Sequence, residues 1–271
     1  MHSLKNNLLL NCEKYMSTGR KRLNKIKINS PAIILVEPQL GENIGFSARA
    51  MLNFDINNLR LVNPREDWPN KKAISTSAGA IDSRKSEINI YNTIEDATED
   101  ISYLLATTAR KRDLNKPVIS PVQASENLLN AQMKGVSTGI MFGGEKSGLK
   151  NSDLVKADEI INIKSDSEFS SINLAMSVMI ISYQWYIQKM DFINKSNSTK
   201  TTMKQNNYAT KKELNFFVSR LISLLSYRDF FNPIEKKESM INNIEAIFTR
   251  SNLTSQELRT LHGIISNLVE N

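Results

Sequence analysis

Ala32-Ile33-Ile34-Leu35-Val36 is an unbroken apolar run, closed by Glu37 and Pro38. A strand with one wet face alternates apolar and polar residues. A run that is apolar at every position needs cover on both sides, which is the situation of a parallel strand sandwiched between helices. Leu59–Val62, Glu87–Tyr91, Ser102–Thr107, Thr138–Phe142 and Ile160–Ile163 read as further strands. Between them lie helical patterns: Ile44 to near Asn53, a short helix starting over Ser75–Ala80, an acidic one over Thr93–Asp100, one from Pro121 to about Met133, and a helical turn over Leu149–Lys156. Ser171 to about Ile193 reads as the longest helix of the core. Strands alternating with helices predict an α/β fold with a mostly parallel sheet.

The ends of the chain read differently. Residues 1–30 are rich in Asn and Lys without sustained periodicity, which predicts a basic, disordered extension with Gly19-Arg20-Lys21-Arg22 as a loose arm. The patterned sequence begins only at Ser30, so either Met1 or Met16 serves as a start. The ordered body is expected over 31–193 and a Ser/Thr/Asn/Lys-rich linker over 194–209. Thr210-x-x-Glu213 and Thr254-x-x-Glu257 both match the helix capping box, and with a third helix from about Ile234 to Thr249 they predict a small helical module over 210–271.

Charge follows the same division. The net charge of +7 is concentrated at the ends, with seven Lys/Arg against Glu13 alone in residues 1–30, while 31–189 hold 17 basic and 19 acidic residues. A near-neutral core with basic flanks suits a polyanionic partner. Cys12 is the single cysteine and His2 and His262 the only histidines, so a disulfide framework, a zinc site and histidine-based catalysis are not expected. Leu8-Leu9-Leu10 is too short for a signal-peptide core and no apolar run approaches the roughly 18–20 residues of a membrane span. The expectation is a cytoplasmic protein without membrane or metal.

Three polar segments at strand ends carry the chemistry. Gly41-Glu42-Asn43-Ile44-Gly45 reads as a turn into a helix that also bears Arg49, its glycines letting backbone N–H groups approach an anion or a substrate edge. The G-x-G-x-x-G spacing of a dinucleotide site is absent. Gly143-Gly144-Glu145-Lys146-Ser147-Gly148 is not a P-loop, because Glu145 stands where glycine is required and its carboxylate would repel phosphates. A ligand offering hydroxyl or amino donors, such as a nucleoside, suits it better. Asp166 to Met176 runs a hydroxyl-rich turn into an apolar helix, with Ser171 as an N-cap and Ser170, Ser171 and Asn173 as ligand-facing groups. Together the three predict one composite site.

Ile33-x-Leu35-Val36-Glu37 with Gly41-Glu42-Asn43-Ile44-Gly45-Phe46-Ser47-Ala48-Arg49-Ala50-Met51 resembles motif 1 of the SPOUT class of RNA methyltransferases, in its TrmH-like ribose-methylating branch. Phe142-Gly143-Gly144-Glu145-Lys146-Ser147-Gly148-Leu149 resembles motif 2, and Phe169-Ser170-Ser171-Ile172-Asn173-Leu174-Ala175 motif 3. Order and spacing fit over about residues 31–190. Leu61-Val62-Asn63-Pro64, Thr107-Thr108-Ala109-Arg110-Lys111-Arg112 and the tail segments Ile247-Phe248-Thr249-Arg250 and Ser255-Gln256-Glu257-Leu258 look like the TrmJ family. That resemblance implies a C-terminal trefoil knot in the sheet, a homodimer, S-adenosyl-L-methionine as methyl donor and the ribose 2′-hydroxyl of tRNA nucleotide 32 as acceptor.

It also implies a cofactor site at Thr107, Thr108, Ala109, Gly143, Gly144, Glu145, Gly148, Ile163, Ser170, Ser171 and Leu174. Asn43, Arg49, Glu145, Ser171 and Asn173 match the family's polar site positions, with Arg49, Arg110, Lys111 and Arg112 expected against RNA. A guanidinium does not deprotonate in proteins, so Arg49 is expected to hold a phosphate and stabilise a developing alkoxide rather than act as general base. Two other readings stand beside this one: a ribosomal RNA methyltransferase of the same fold, and a non-catalytic RNA-binding relative.

Overall fold

The computed structural model describes residues 28–109, 116–196 and 208–269. Its centre is a seven-stranded sheet: β1 (Ala32–Val36), β2 (Asn58–Val62), β3 (Glu87–Tyr91), β4 (Tyr103–Thr107), β5 (Val118–Ile119), β6 (Thr138–Gly143) and β7 (Glu159–Ile161). The strands lie in the order β3-β2-β1-β6-β4-β7-β5 and every pairing is parallel. The two-residue edge strand β5 was not visible as a strand in the sequence, being too short to show any period.

Parallel strands need helical crossovers, and the helices cover both faces. They are α1 (Gly41–Asn53), α2 (Lys71–Thr76), α3 (Ile94–Thr98), α4 (Pro121–Met133), α5 (Asn151–Val155) and α6 (Leu174–Ser196). Successive residues of β1 point to opposite faces. Ile33 and Leu35 join Ile44 and Met51 of α1, Leu128 of α4 and Val178, Ile181 and Trp185 of α6 in one core. Ile34 and Val36 join Ile94 and Ala97 of α3 and Leu154 of α5 in the other. That double burial is why β1 is apolar throughout.

Four boundaries differ from the sequence reading. The expected turn Gly41–Gly45 is already the first turn of α1. Its glycines serve packing: a Cβ on Gly41 would run into the Asn70 side chain and one on Gly45 into the Ala73 carbonyl and Thr76. The short helix expected over Ser75–Ala80 lies earlier, because Asn70 caps it by accepting from Lys72 N (3.0 Å) and Ala73 N (3.1 Å), and left-handed Ala78 and Gly79 follow its end. The long helix starts at Leu174 rather than Ser171, since Asn173 takes the cap: its Oδ1 accepts from Ala175 N (2.9 Å) and Met176 N (3.3 Å). The same helix runs to Ser196, three residues into the expected linker. Residues 1–27 lie outside the described residues, but Ile28 already packs against the first core.

Beyond Tyr208 come α7 (Lys211–Tyr227), a 3-10 turn (Ile234–Lys236), α8 (Lys237–Arg250) and α9 (Ser255–Val269). Both capping boxes form: Thr210 Oγ1 accepts from Glu213 N and Thr254 Oγ1 from Glu257 N, each at 3.2 Å. Leu214, Phe217 and Val218 of α7 and Leu258 of α9 form a small core, against which the partly buried Ile244 and Phe248 of α8 pack. Against the sheet body, α7 packs on α3 and α8 on α5.

Candidate active site

All strands being parallel, their carboxyl ends share one edge, and the loops leaving that edge meet in a cleft. One wall is Thr107, Thr108 and Ala109 after β4. A second is Phe142 to Leu149, including Gly143, Gly144, Glu145 and Gly148. The third is Ile161, Ile163, Ser171, Ile172, Leu174 and Ser177. All the residues expected at a cofactor site line it except Ser170, which is exposed and uses its carbonyl to accept from Ser165 Oγ (3.1 Å). Ile161 and Ser177 line the cleft but were not among the expected residues: one reads as core strand, the other as one more polar residue on a helix.

Glycine keeps the second wall thin. A Cβ on Gly143 would collide with the backbone of Gly148 and Leu149, and one on Gly144 with the Glu37 carbonyl. Gly148 has a φ of +66°, which glycine adopts without strain, and its N–H donates to Gly144 O at 2.9 Å.

A hydrogen-bond relay ties the three polar segments together beside the cleft. Asn173 Nδ2 donates to Asn43 Oδ1 (3.0 Å), and Asn43 Nδ2 donates to Glu145 Oε1 (2.7 Å). Glu145 also accepts from Gln39 N (2.8 Å) and Leu40 N (3.2 Å). Leu40 precedes α1 and has no side-chain acceptor of its own, so a carboxylate from a distant loop occupies the helix N-terminus. Gly41 N donates to Glu66 Oε2 at 3.3 Å. Two carboxylates of the protein thus already hold the Gln39, Leu40 and Gly41 N–H groups.

Arg49 lies two turns further along α1, exposed and outside the cleft lining, with no ion pair or side-chain hydrogen bond among the described residues. It shares its helix face with exposed Phe46. Arg110, Lys111 and Arg112 lie outside the described residues.

The SpoU rRNA methylase family model matches residues 30–183, more than half of the chain. The chain belongs to this family. The SpoU match spans β1 through the first half of α6, and so includes every cleft wall. A tRNA (cytidine/uridine-2′-O-)-methyltransferase, TrmJ, of Photorhabdus laumondii is 32% identical over 236 residues, covering 87% of this chain and 95% of that one. The tRNA (cytidine/uridine/adenosine-2′-O-)-methyltransferase TrmJ of Pseudomonas aeruginosa is 29% identical over 238 residues, covering 86% and 91%. Among solved structures, TrmJ from Z. mobilis ZM4 is similar with a TM-score of 0.77 and 36% identity, over 88% of this chain and 98% of that one.

Proposed function

We propose that this SpoU-family protein methylates the ribose 2′-hydroxyl of a pyrimidine nucleotide in tRNA, at nucleotide 32 of the anticodon loop, with S-adenosyl-L-methionine as donor. The observation that carries the reading is the relay Asn173–Asn43–Glu145, which binds all three motif segments around one cleft. The names of similar TrmJ proteins support tRNA as substrate. The cleft's chemistry fits the donor. Phe142, Leu149, Ile161, Ile163 and Leu174 offer an apolar slot for an adenine ring, and glycine-thinned backbone offers groups for its edges.

S-adenosylmethionine supplies an already activated methyl group, so the protein has to align the acceptor and stabilise charge. Arg49 holds the phosphate beside the target ribose and offsets negative charge as the 2′-hydroxyl loses its proton. Ser171 and Asn173 orient the nucleotide, and Glu145 with Asn43 fixes Asn173. A single-stranded loop presents an unstacked ribose to such a site, and cations hold its flanking phosphates. Arg110, Lys111 and Arg112 serve as those cations.

The reading includes three further proposals. First, the chain is knotted, which is supported by Asn162: its Nδ2 donates to Thr108 O (3.0 Å) and its N–H to Ile119 O (2.9 Å), so it lies between two earlier segments. Second, the protein is a homodimer, supported by the exposed apolar side chains Phe46, Met176, Met179, Ile180 and Tyr183 on α1 and α6. Third, it works in the cytoplasm as a body over 31–193 and a helical module over 210–271. Nucleoside mass spectrometry of tRNA from a deletion strain tests the whole. Loss of ribose methylation at nucleotide 32 is expected, and unchanged methylation there overturns it. The rRNA in the family's own description favours ribosomal RNA as a second reading, so the same measurement is made on rRNA.

A further inference from the structure

Three charged side chains are buried at the end of the sheet away from the cleft. Asp158 is 6% exposed, Lys211 4% and Lys116 8%. Asp158 stands just before β7 and is fully bonded: its Oδ2 accepts from Leu104 N (2.7 Å), its own N–H donates to Leu104 O (2.6 Å), and Oδ1 receives Lys211 Nζ (2.8 Å). Lys211 is the first residue of α7, and its backbone N–H donates to Ile101 O at 2.6 Å. Lys212 adds a backbone bond to Glu99 O (3.2 Å) and an exposed ion pair with the same residue (2.9 Å). The first turn of the C-terminal helices is thus fastened to the segment that enters β4.

The other end of β4 is Thr107, the first residue of the cleft wall. At about 3.3 Å per residue the strand is a rigid link of some 17 Å. Lys116 marks a second fastening, since its Nζ donates to Val155 O (2.7 Å) and Ala157 O at the C-terminal end of α5, where a helix favours a cation. In sequence, Arg110-Lys111-Arg112 lies between the cleft wall at Ala109 and this lysine. A buried ion pair is a poor choice where stability alone is needed, because apolar residues of similar volume do as well or better. It differs from them in being directional, and this one fixes the seat of α7 against one point of β4.

We propose that Asp158 is a positioning residue that, through Lys211, makes the C-terminal helices and the Thr107–Ala109 wall of the same subunit one mechanical unit. Loosening the pair then disturbs the cleft on the far end of β4, although neither side chain touches it. The inference rests on the cofactor reading only for its affinity readout.

The test uses the full-length protein with Asp158→Asn, Lys211→Met and the double variant, all at a temperature where each is folded. Lys211→Arg, which keeps the charge but changes the geometry, replaces any variant that does not fold. Hydrogen exchange is followed at the amides of 103–109, and affinity for S-adenosylmethionine is measured by calorimetry without tRNA. Each single variant is expected to exchange about fivefold or more faster at Thr107–Ala109 and to bind about fivefold or more weakly, the size of a modest coupling between sites. The double variant is expected to recover part of both, since no unpaired charge is left. Faster exchange confined to α7–α9, with unchanged affinity, overturns the proposal and leaves a plain anchor. If the unmodified protein fails to bind S-adenosylmethionine, the cofactor reading falls, and exchange at Thr107–Ala109 alone decides this one.

Discussion

At its carboxyl end β4 opens into a cleft whose polar groups are only partly covered, whereas at its amino end a set of equally polar groups is sealed. The relay of Asn173, Asn43 and Glu145 consists of two amides and one carboxylate, with Asn173 exposed and Asn43 buried. The Asp158–Lys211 pair has both partners buried, with each carboxylate oxygen of Asp158 taken by a donor of the protein itself. Open groups keep bonding capacity for a ligand, while sealed ones spend all of it on position. Variants at the two sites should therefore fail in different proportions: the sealed pair mainly loses stability, with only the modest loss of cofactor affinity inferred above, and the relay mainly loses activity.

The largest expected loss is in the sealed cluster. Lys211→Ala leaves Asp158 buried without its cation, which costs about 3–5 kcal/mol. Urea denaturation measures it, and a loss under about 1 kcal/mol would place the pair with ordinary surface ion pairs. Glu145→Ala comes next and acts on activity. It releases Asn43 and the Gln39 and Leu40 N–H groups at the edge of the cleft, so kcat/KM is expected to fall about 10²–10³-fold, or some 3–4 kcal/mol. The unfolding midpoint should fall by less than that of Lys211→Ala, since the stability cost is that of a lost helix-terminal acceptor and an unpaired Asn43 amide, about 1–2 kcal/mol. Equal damage to stability by both variants would erase the contrast between the clusters.

The first core and the cleft lining were largely legible in the sequence; the relay and the anchor were not. Strand positions follow from apolar runs, and a cleft at their carboxyl ends follows from parallel strands ending on one edge, whereas Thr107, Gly143 and Leu174 are reached through the resemblance of their segments to the family's motifs. Glu145 was picked for its place in a glycine turn, but its task at the N-terminus of α1 depends on Leu40, more than a hundred residues earlier. Asp158 and Lys211 sit 53 residues apart in segments that look like ordinary charged surface, and only tertiary packing makes them partners. Lys211 and Lys212 are adjacent lysines with nothing in the sequence to tell them apart, yet the first is buried and the second is not.

The glycines of α1 pack closely against the segment around α2, which the sequence alone does not place there, and they give the third prediction. Within a helix, Gly→Ala ordinarily stabilises by about 1 kcal/mol. Gly45→Ala is expected to do the opposite and cost about 1–3 kcal/mol, because the added methyl meets the Ala73 carbonyl and Thr76 of α2 rather than water. Chemical denaturation gives the sign directly. A stabilised variant would mean that α1 and α2 can move apart, and that these glycines serve the ligand side as their sequence pattern first implied.

The smallest effect probes the sealed cluster by pH. Burial pulls the Lys116 ammonium down from 10.5 to about 8, with Lys211 and Arg250 lowering it further and Asp158 and Glu245 opposing. Between pH 8 and 10.5 the unfolded chain therefore holds a proton that the folded protein has released. Stability contributed by this group must rise with pH across that window, since the unfolded state binds more protons. Lys116→Met lacks the term. From pH 7.5 to 9.5 the unmodified protein should gain about 1–2 kcal/mol over Lys116→Met, read from paired urea titrations. Taking the difference between the two proteins removes the other titrating groups, provided their surroundings are unchanged. A gain for Lys116→Met instead would show that the Val155 and Ala157 carbonyls stabilise the ammonium by more than burial penalises it. The sealed end of β4 would then hold its cations by attraction rather than at the expense of their charge, and the contrast with the open cleft would rest on exposure alone.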